Sequence, residues 1–287
     1  MAWESLYVER NLVLENSCDL KNASSAFLGV PFDGTASFRP GSRFGPLAVR
    51  RMLLEMEKET SSGDFFKAGF FDVGNVAVVP GNAEKTLGFV EDVLKGVVAE
   101  NSNVKFLVAG GEHLVSLPAV RVLSEGYRGL QVVSVDAHAD LRNDFMGERL
   151  SHASVMRRIH ELNVGVHLAG VRSASKDEAE YIRRNHLSNY GPEEVESLAK
   201  KIKGKPVYLS VDIDVLDPGC APGVGTPEAD GWMFNELRSF VWEILSNTEV
   251  VGFDVTEVCP PYDAGDATAL AAARLFMDAA LSMKRRK

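Results

Sequence analysis

Six residues of metal-ligating type fall at the ends of three apolar runs. They are His113 in GGEH, Asp136, His138 and Asp140 in SVDAHAD, and Asp212 and Asp214 in SVDIDVLDP. The runs that precede them, Lys105–Ala109, Leu130–Val135 and Pro206–Val211, read as buried strands. Strand side chains alternate faces, so Asp136, His138 and Asp140 are expected on one side if the chain stays extended, and Asp212 and Asp214 likewise. Carboxylates stacked this closely repel unless a cation neutralises them. Four carboxylates and two imidazoles exceed the four ligands of one tetrahedral zinc. With bridging carboxylates they suit two hard divalent ions, manganese being the natural choice for an oxygen-rich set.

Taken alone, each piece has a plainer reading. An Asp-x-Asp after a strand is ordinarily a solvated turn or a helix cap. The conjunction of Asp-x-His-x-Asp, a second acidic pair and a Gly-Gly-Glu-His turn is what points to a metal centre. Two divalent ions bridged by carboxylates lower the pKa of a bound water and supply hydroxide near neutral pH. Four carboxylates and two divalent ions cancel, and a hydroxide leaves the centre at −1, which suits a cationic substrate better than a phosphate. No P-loop or Arg/Lys cluster flanks these motifs.

A cationic substrate needs a carboxylate partner. Glu257 ends another apolar run, Val250–Glu257, just before Cys259-Pro260-Pro261; the alternative is a solvent-facing loop residue. Asp254, nearer the strand, is expected to hydrogen-bond a ligand residue or an adjacent backbone N–H. His152 is the candidate for proton transfer; otherwise it is a helix N-terminal residue capped by Ser151. His160, His167 and His186 lack acidic neighbours and read as structural or surface residues.

Strands that position such residues are expected at Ala26–Val30, Gly69–Val73, Phe106–Ala109, Val132–Val135, Gly165–Ala169, Val207–Val211 and Val250–Phe253. Helical patterns alternate with them: a helix opened by Pro46, then Ala83–Glu100, Leu117–Ser124, His152–Leu162, Lys176–Arg184, Pro192–Lys200, Phe234–Leu245 and Ala267–Met283. This alternation predicts an α/β chain with a mostly parallel sheet covered on both faces. In such sheets ligands collect beyond the carboxyl ends of the strands, where all the candidates lie. With no linker, repeat or low-complexity segment, one domain over 1–287 is expected.

Of the 287 residues 45% are apolar and 25% charged, an ordinary globular composition. The formal charge of −9 disfavours a nucleic-acid or anionic-membrane surface. The tail Lys284–Lys287 reads as a solvated helix end. Three cysteines, Cys18, Cys220 and Cys259, have no C-x-x-C spacing, which points to a reducing compartment. The first residues, MAWESLYVERNLVLENS, carry charge throughout, unlike a signal peptide or anchor. No membrane span and a cytoplasmic location are therefore expected.

At this level the chain is recognisable. GGEHLVS, SVDAHAD and SVDIDVLDP resemble the three signature segments of the ureohydrolase (arginase/agmatinase) family, in the same order and at similar spacing. The likeness extends to GVPFDGTASFRPGSRFGP, APGVGTPE and GFDVTEVCPPYD with TALAAARL, so it covers most of the chain, and the agmatinase-type branch is the most similar. The resemblance implies a three-layer αβα arginase-like fold with a central, mostly parallel eight-stranded sheet. It implies two manganese ions, Mn(2+), per subunit and hydrolysis of a guanidino group to urea and an amine. By motif position, His113, Asp136, Asp140 and Asp212 would hold one ion, and Asp136, His138, Asp212 and Asp214 the other. A bridging hydroxide would attack the guanidinium carbon. Asp140 would orient it and pass a proton to the leaving amine, Glu257 would bind the guanidinium, and His152 would shuttle protons. A homo-oligomer, trimer or hexamer, is implied too.

Agmatine, giving putrescine for polyamine biosynthesis, is the implied substrate, with guanidinobutyrate, guanidinopropionate and arginine as alternatives. Arginine is disfavoured because arginases resemble one another in a Ser-Gly-Asn loop, where this chain reads RNDFMGERLSHAS, and in an acidic residue where it has Ser175. Ala229-Asp230-Gly231-Trp232 stands where relatives have Pro-Gly-Gly-Leu; Asp230 or Trp232 at a pocket rim would alter distal-group preference. Competing readings are a one-zinc amide hydrolase and a non-catalytic metal- or polyamine-binding regulator.

Overall fold

The computed structural model describes residues 6–10, 14–60 and 63–283. The Lys284–Lys287 tail lies outside them. The strands are β1 (Val8–Glu9), β2 (Ser25–Val30), β3 (Glu59–Thr60), β4 (Gly63–Asp64), β5 (Phe70–Val76), β6 (Lys105–Gly110), β7 (Gln131–Val135), β8 (Gly165–Ala169), β9 (Asn189–Tyr190), β10 (Pro206–Asp212) and β11 (Glu249–Thr256). The helices are α1 (Gly45–Glu55), α2 (Ala83–Glu100), α3 (Ser116–Gly126), α4 (Val155–His160), α5 (Lys176–Arg184), α6 (Val195–Ile202), α7 (Phe234–Asn247) and α8 (Ala267–Ser282).

Among the described residues nine strands form the main sheet in the order β1-β5-β2-β6-β11-β10-β7-β8-β9. From β5 to β9 every pairing is parallel, eight strands in all; β1 adds an antiparallel edge, with Val8 opposite Val76. The two-residue strands β1 and β9 and the β3–β4 hairpin carry too little pattern to be anticipated from sequence.

Alternation along the central strands builds the layers. Val133, Val135, Leu209, Val211, Phe253 and Val255 face one core, closed by apolar residues of α1, α6, α7 and α8. Val132, Phe106, Val108, Tyr208 and Val251 face the other, closed by α2, α3 and α4. Each such Val, Leu or Phe contributes roughly 1.5–3 kcal/mol of burial. Helix α8 is rich in buried alanines, which lets it lie close against α1 and α7.

Most helix expectations hold within a turn, and Pro46 does sit in the first turn of α1. The stretch expected as one helix over His152–Leu162 differs. It is a 3-10 turn at His152–Ser154 followed by α4, which ends before Asn163 turns left-handed at φ 60°. Ser151 and Ser154 cap each other there, with Ser151 N donating to Ser154 Oγ at 3.2 Å. Among the described residues no helix is long and apolar enough to cross a membrane.

Candidate metal centre

The four strands β6, β11, β10 and β7 are neighbours at the middle of the sheet, and their carboxyl ends carry the candidate residues. His113, Asp136, Asp140, Asp212 and Asp214 are buried and His138 partly so, although 101 positions of sequence separate the first from the last.

Strand alternation is not what aims them, contrary to expectation. Strand β7 stops at Val135, before Asp136, and Asp140 adopts a left-handed backbone at φ 51°. Instead, Asp136 Oδ1 accepts the N–H of His138 (2.6 Å), and Asp212 Oδ1 accepts the N–H of Asp214 (3.0 Å). Each aspartate thus coils the chain back on itself by capturing the N–H two residues on. The remaining oxygens point inward: His113 Nδ1 lies 3.0 Å from Asp136 Oδ2, 3.1 Å from Asp140 Oδ2 and 3.4 Å from Asp212 Oδ2. His138 Nδ1 lies 2.9 Å from Asp214 Oδ2 and 3.6 Å from Asp136 Oδ1.

Donor atoms of His113, Asp136 and Asp140, and of Asp136, His138 and Asp214, gather within 4.8 Å in each group, and the groups share Asp136. Asp136 Oδ2 is buried without a hydrogen bond of acceptable geometry, although His113 Nδ1 is close. An orphaned carboxylate oxygen facing imidazole nitrogens is the expected donor set of a cation site. Proton balance says the same. Burial, joined by Asp136, pushes Asp140 up to about 7, and burial with Asp214 and Asp136 raises Asp212 well above the carboxylate range. Burial opposes charge on His138, but Asp214 and Asp136 overcome it and push the imidazole up to about 12.

The ring of His113 is oriented from behind. Its Nε2 is 3.0 Å from Ser210 Oγ, and Ser210 Oγ donates to Asp254 Oδ1 at 2.7 Å, while Tyr208 OH donates to Asp254 Oδ2 at 2.5 Å. Asp254 was expected to touch a ligand residue or a backbone N–H; it acts through Ser210, because Ser210 stands on β10 directly opposite it.

Glu257 also has a left-handed backbone, φ 63°; its N–H donates to Gly111 O (2.7 Å) and its Oε1 accepts the N–H of His113 (2.9 Å). The cost of that conformation is held by these contacts. Gly111 is required there: a Cβ on it would meet Phe32 O at 2.0 Å. Burial, then Glu112, raises Glu257 well above its usual range.

A cleft of about 250 Å³ opens over the cluster, lined among others by Asp140, Asp212, Asp214, Glu257, His152 and Glu228. Burial depresses His152 to about 4, so its imidazole is neutral at pH 7. His160 bonds Tyr181 and His167 bonds Gln131, as expected of structural residues. Trp232 is not on the rim: it packs against Phe240 with ring centroids 5.2 Å apart, and Asp230 does not line the cleft. Ser175 does line it, but as the cap of α5, donating to Glu178 Oε2 at 2.7 Å.

Sequence reasoning missed Glu228, Arg142, Glu178 and Ser37 on the cleft wall, and Thr35 and Glu112 behind it. Glu228 Oε1 lies 3.4 Å from His138 Nε2 with its side chain 40% exposed, so it reaches both the cluster and solvent. Its signal was the TPE of APGVGTPE, which carries no spacing rule of its own.

Comparison with known proteins agrees with this geometry. The agmatinase of Bacillus subtilis (strain 168) is 37% identical over 268 residues, 90% of this chain and 91% of its own length. The N(1)-aminopropylagmatine ureohydrolase of Thermococcus kodakarensis is 37% identical over 281 residues, 95% of this chain and 96% of its own. The crystal structure of the agmatine ureohydrolase of Thermoplasma volcanium superposes with a TM-score of 0.82 at 31% identity, covering 93% of this chain and 92% of that one. The family model for the arginase family matches residues 23–282, and the chain belongs to the arginase family.

Proposed function

We propose that this chain is a binuclear manganese amidinohydrolase converting agmatine and water to putrescine and urea. The observation that carries the reading is one cleft shared by the acidic cluster, the Glu257 carboxylate and the neutral imidazole of His152. The 37% identity to an agmatinase and to an aminopropylagmatine ureohydrolase supports a guanidino substrate with a cationic far end.

His113, Asp136, His138, Asp140, Asp212 and Asp214 would hold the ions, and Asp136 belongs to both donor groups. When bound, a pair of divalent ions supplies a nucleophilic water near neutral pH. A guanidinium entering the cleft offsets the burial that raises Glu257, so the carboxyl ionises, binds it by charge-assisted hydrogen bonds and fixes its carbon over the cluster. Asp140 would orient the attacking oxygen, take up its proton and return that proton to the departing nitrogen as the C–N bond breaks. His152, neutral at pH 7, accepts a proton and exchanges it with solvent. Six carboxylates on the cleft wall, including Glu178 and Glu228, favour a cation and repel a phosphate.

The test is urea release by manganese-reconstituted protein from agmatine, N(1)-aminopropylagmatine, arginine, guanidinobutyrate and guanidinopropionate, compared as kcat/KM. Agmatine is expected to lead. No urea from any of these compounds refutes the reading, and about one zinc per chain without manganese would favour the amide-hydrolase alternative. We also infer one domain over 1–287, because the main sheet draws strands from Val8 to Thr256. A cytoplasmic homo-oligomer accords with the family likeness.

A further inference from the structure

We propose that Thr35 is a positioning residue for the proposed reaction: its hydroxyl holds the Nδ1 side of the His152 ring, so that Nε2 is the nitrogen presented to the cleft. The inference rests on the role proposed for His152 and adds what places its ring.

Thr35 belongs to the loop between β2 and α1, which no regular element supports. Its position is set by Glu112, a fully buried carboxylate one residue before His113. Glu112 Oε2 accepts the N–H of Thr35 at 2.7 Å, and Glu112 Oε1 is 2.5 Å from Thr35 Oγ1. Glu112 is itself tied to the same loop, its N–H donating to Phe32 O at 2.7 Å, with Gly111 N–H donating to Val30 O at 2.8 Å. On the far side of the loop, Asp33 Oδ2 accepts the N–H of Gly41 at 2.8 Å. Thr35 is therefore fastened by its own backbone and side chain to the strand end that carries His113.

From that anchor the hydroxyl reaches His152 twice. The N–H of His152 donates to Thr35 Oγ1 at 3.0 Å, and His152 Nδ1 lies 3.2 Å from the same oxygen. A hydroxyl has one proton and two lone pairs, so Glu112, the His152 backbone and the His152 ring use its whole capacity. Because the hydroxyl proton goes to Glu112, the oxygen accepts from Nδ1–H, which leaves the ring lone pair on Nε2. Nε2 is then left beside Ser37 Oγ, 3.3 Å away, and both Ser37 and His152 line the cleft. Phe145 closes the remaining face of the ring edge-on, centroids 5.6 Å apart. The hydroxyl thereby connects two segments 117 residues apart.

The discriminating variant is Thr35→Val, which keeps the shape and removes the hydroxyl. Expected is a kcat lower by roughly 10–100-fold, part of the 10²–10⁴ that acid–base catalysis supplies, with KM within about twofold. Thr35→Ser should restore kcat, and Thr35→Val should cost little more in a His152→Asn background, since both changes disable one unit. Should Thr35→Val fail to fold, Thr35→Ala carries the same comparison. Crystal structures of metal-loaded wild type and Thr35→Val are expected to show the His152 ring displaced or in two orientations. Wild-type kcat in Thr35→Val, an undiminished loss in the His152→Asn background, or an unmoved ring overturns the inference. Absence of urea from every guanidino compound with the wild-type chain refutes the proposed function instead, and the ring position in the crystals still decides whether Thr35 places it.

Discussion

Replacing Asp254 by Asn changes one atom at a fully buried position and should weaken metal binding. Ser210 Oγ has a single proton, donated to Asp254 Oδ1 at 2.7 Å, so toward His113 Nε2, 3.0 Å away, it must accept. In the metal-loaded protein that places the ring proton of His113 on Nε2 and frees the Nδ1 lone pair for the ion, between Asp136 Oδ2 and Asp140 Oδ2, which lie 3.0 and 3.1 Å from Nδ1. This is the tautomer that ligates through Nδ1. An asparagine offers one accepting oxygen, whereas Tyr208 OH and Ser210 Oγ both need one. With the amide nitrogen toward Tyr208, the buried phenol proton loses its acceptor, a cost of about 1–3 kcal/mol. With it toward Ser210, the serine proton turns to His113 Nε2 and drives the ring proton onto Nδ1, where it excludes a metal ion. Substitutions of this kind cost roughly 10–100-fold in metal affinity, or about 1.4–2.8 kcal/mol at 1.4 kcal/mol per tenfold. The assay is manganese affinity by competition with a fluorescent chelator, alongside thermal unfolding of metal-free and metal-loaded protein. Asp254→Asn should bind manganese 10–100-fold more weakly and recover most of its kcat at saturating metal. Manganese affinity within twofold of wild type would refute the tautomer argument, and Ser210→Ala should weaken binding by a similar factor if the argument holds.

Glu257→Gln keeps the acceptor for the His113 N–H but loses the charge proposed to face the guanidinium, worth about 1.5–3 kcal/mol. The kcat/KM for agmatine should fall by roughly 10–100-fold, and an unchanged value would remove Glu257 from the site. Gly111→Ala sets a Cβ 2.0 Å from Phe32 O, so the loop must shift. Overpacking of about 1–3 kcal/mol should appear in denaturant titration, with weaker manganese binding because Gly111 O also holds the Glu257 N–H; wild-type stability and affinity together would contradict the close approach. Burial, then Lys201 and Lys205, depress His167 to about 4 from its ordinary 6.5. Between those values the unfolded chain binds the proton more readily, so this contribution is present above pH 6.5 and lost as pH falls toward 4. His167→Asn should flatten the decline of Tm across that window, and an unchanged slope would show that His167 does not contribute to it.

The candidate cluster was legible because it is written locally. Each aspartate and histidine follows an apolar run long enough to be a strand, and strand ends are where a parallel α/β sheet gathers chemistry. Their convergence does not come from strand alternation. Alternation along an extended chain and an aspartate capturing the N–H two residues on both bring i and i+2 together, so the Asp-x-His and Asp-x-Asp spacings alone do not separate them. Asp140 at φ 51° and the end of β7 at Val135 decide for the turn. Trp232 departs from the residue relatives carry, yet it is core, its ring tilted at 53° against Phe240. A residue type alone does not say which face of a loop it takes.

By itself the chain determined the donor types, their order, the alternating strands and helices, and an acidic centre suited to a cation, since these follow from local pattern and charge. Only the tertiary structure decided that β6, β11, β10 and β7 are adjacent, so that His113, Asp136, Asp212 and Glu257 meet. It alone joined Glu112 through Thr35 to His152, and Asp254 through Ser210 to His113. Strand order and loop-to-loop hydrogen bonds arise from how whole layers pack, and that free energy is spread over hundreds of contacts with no signature in any short segment.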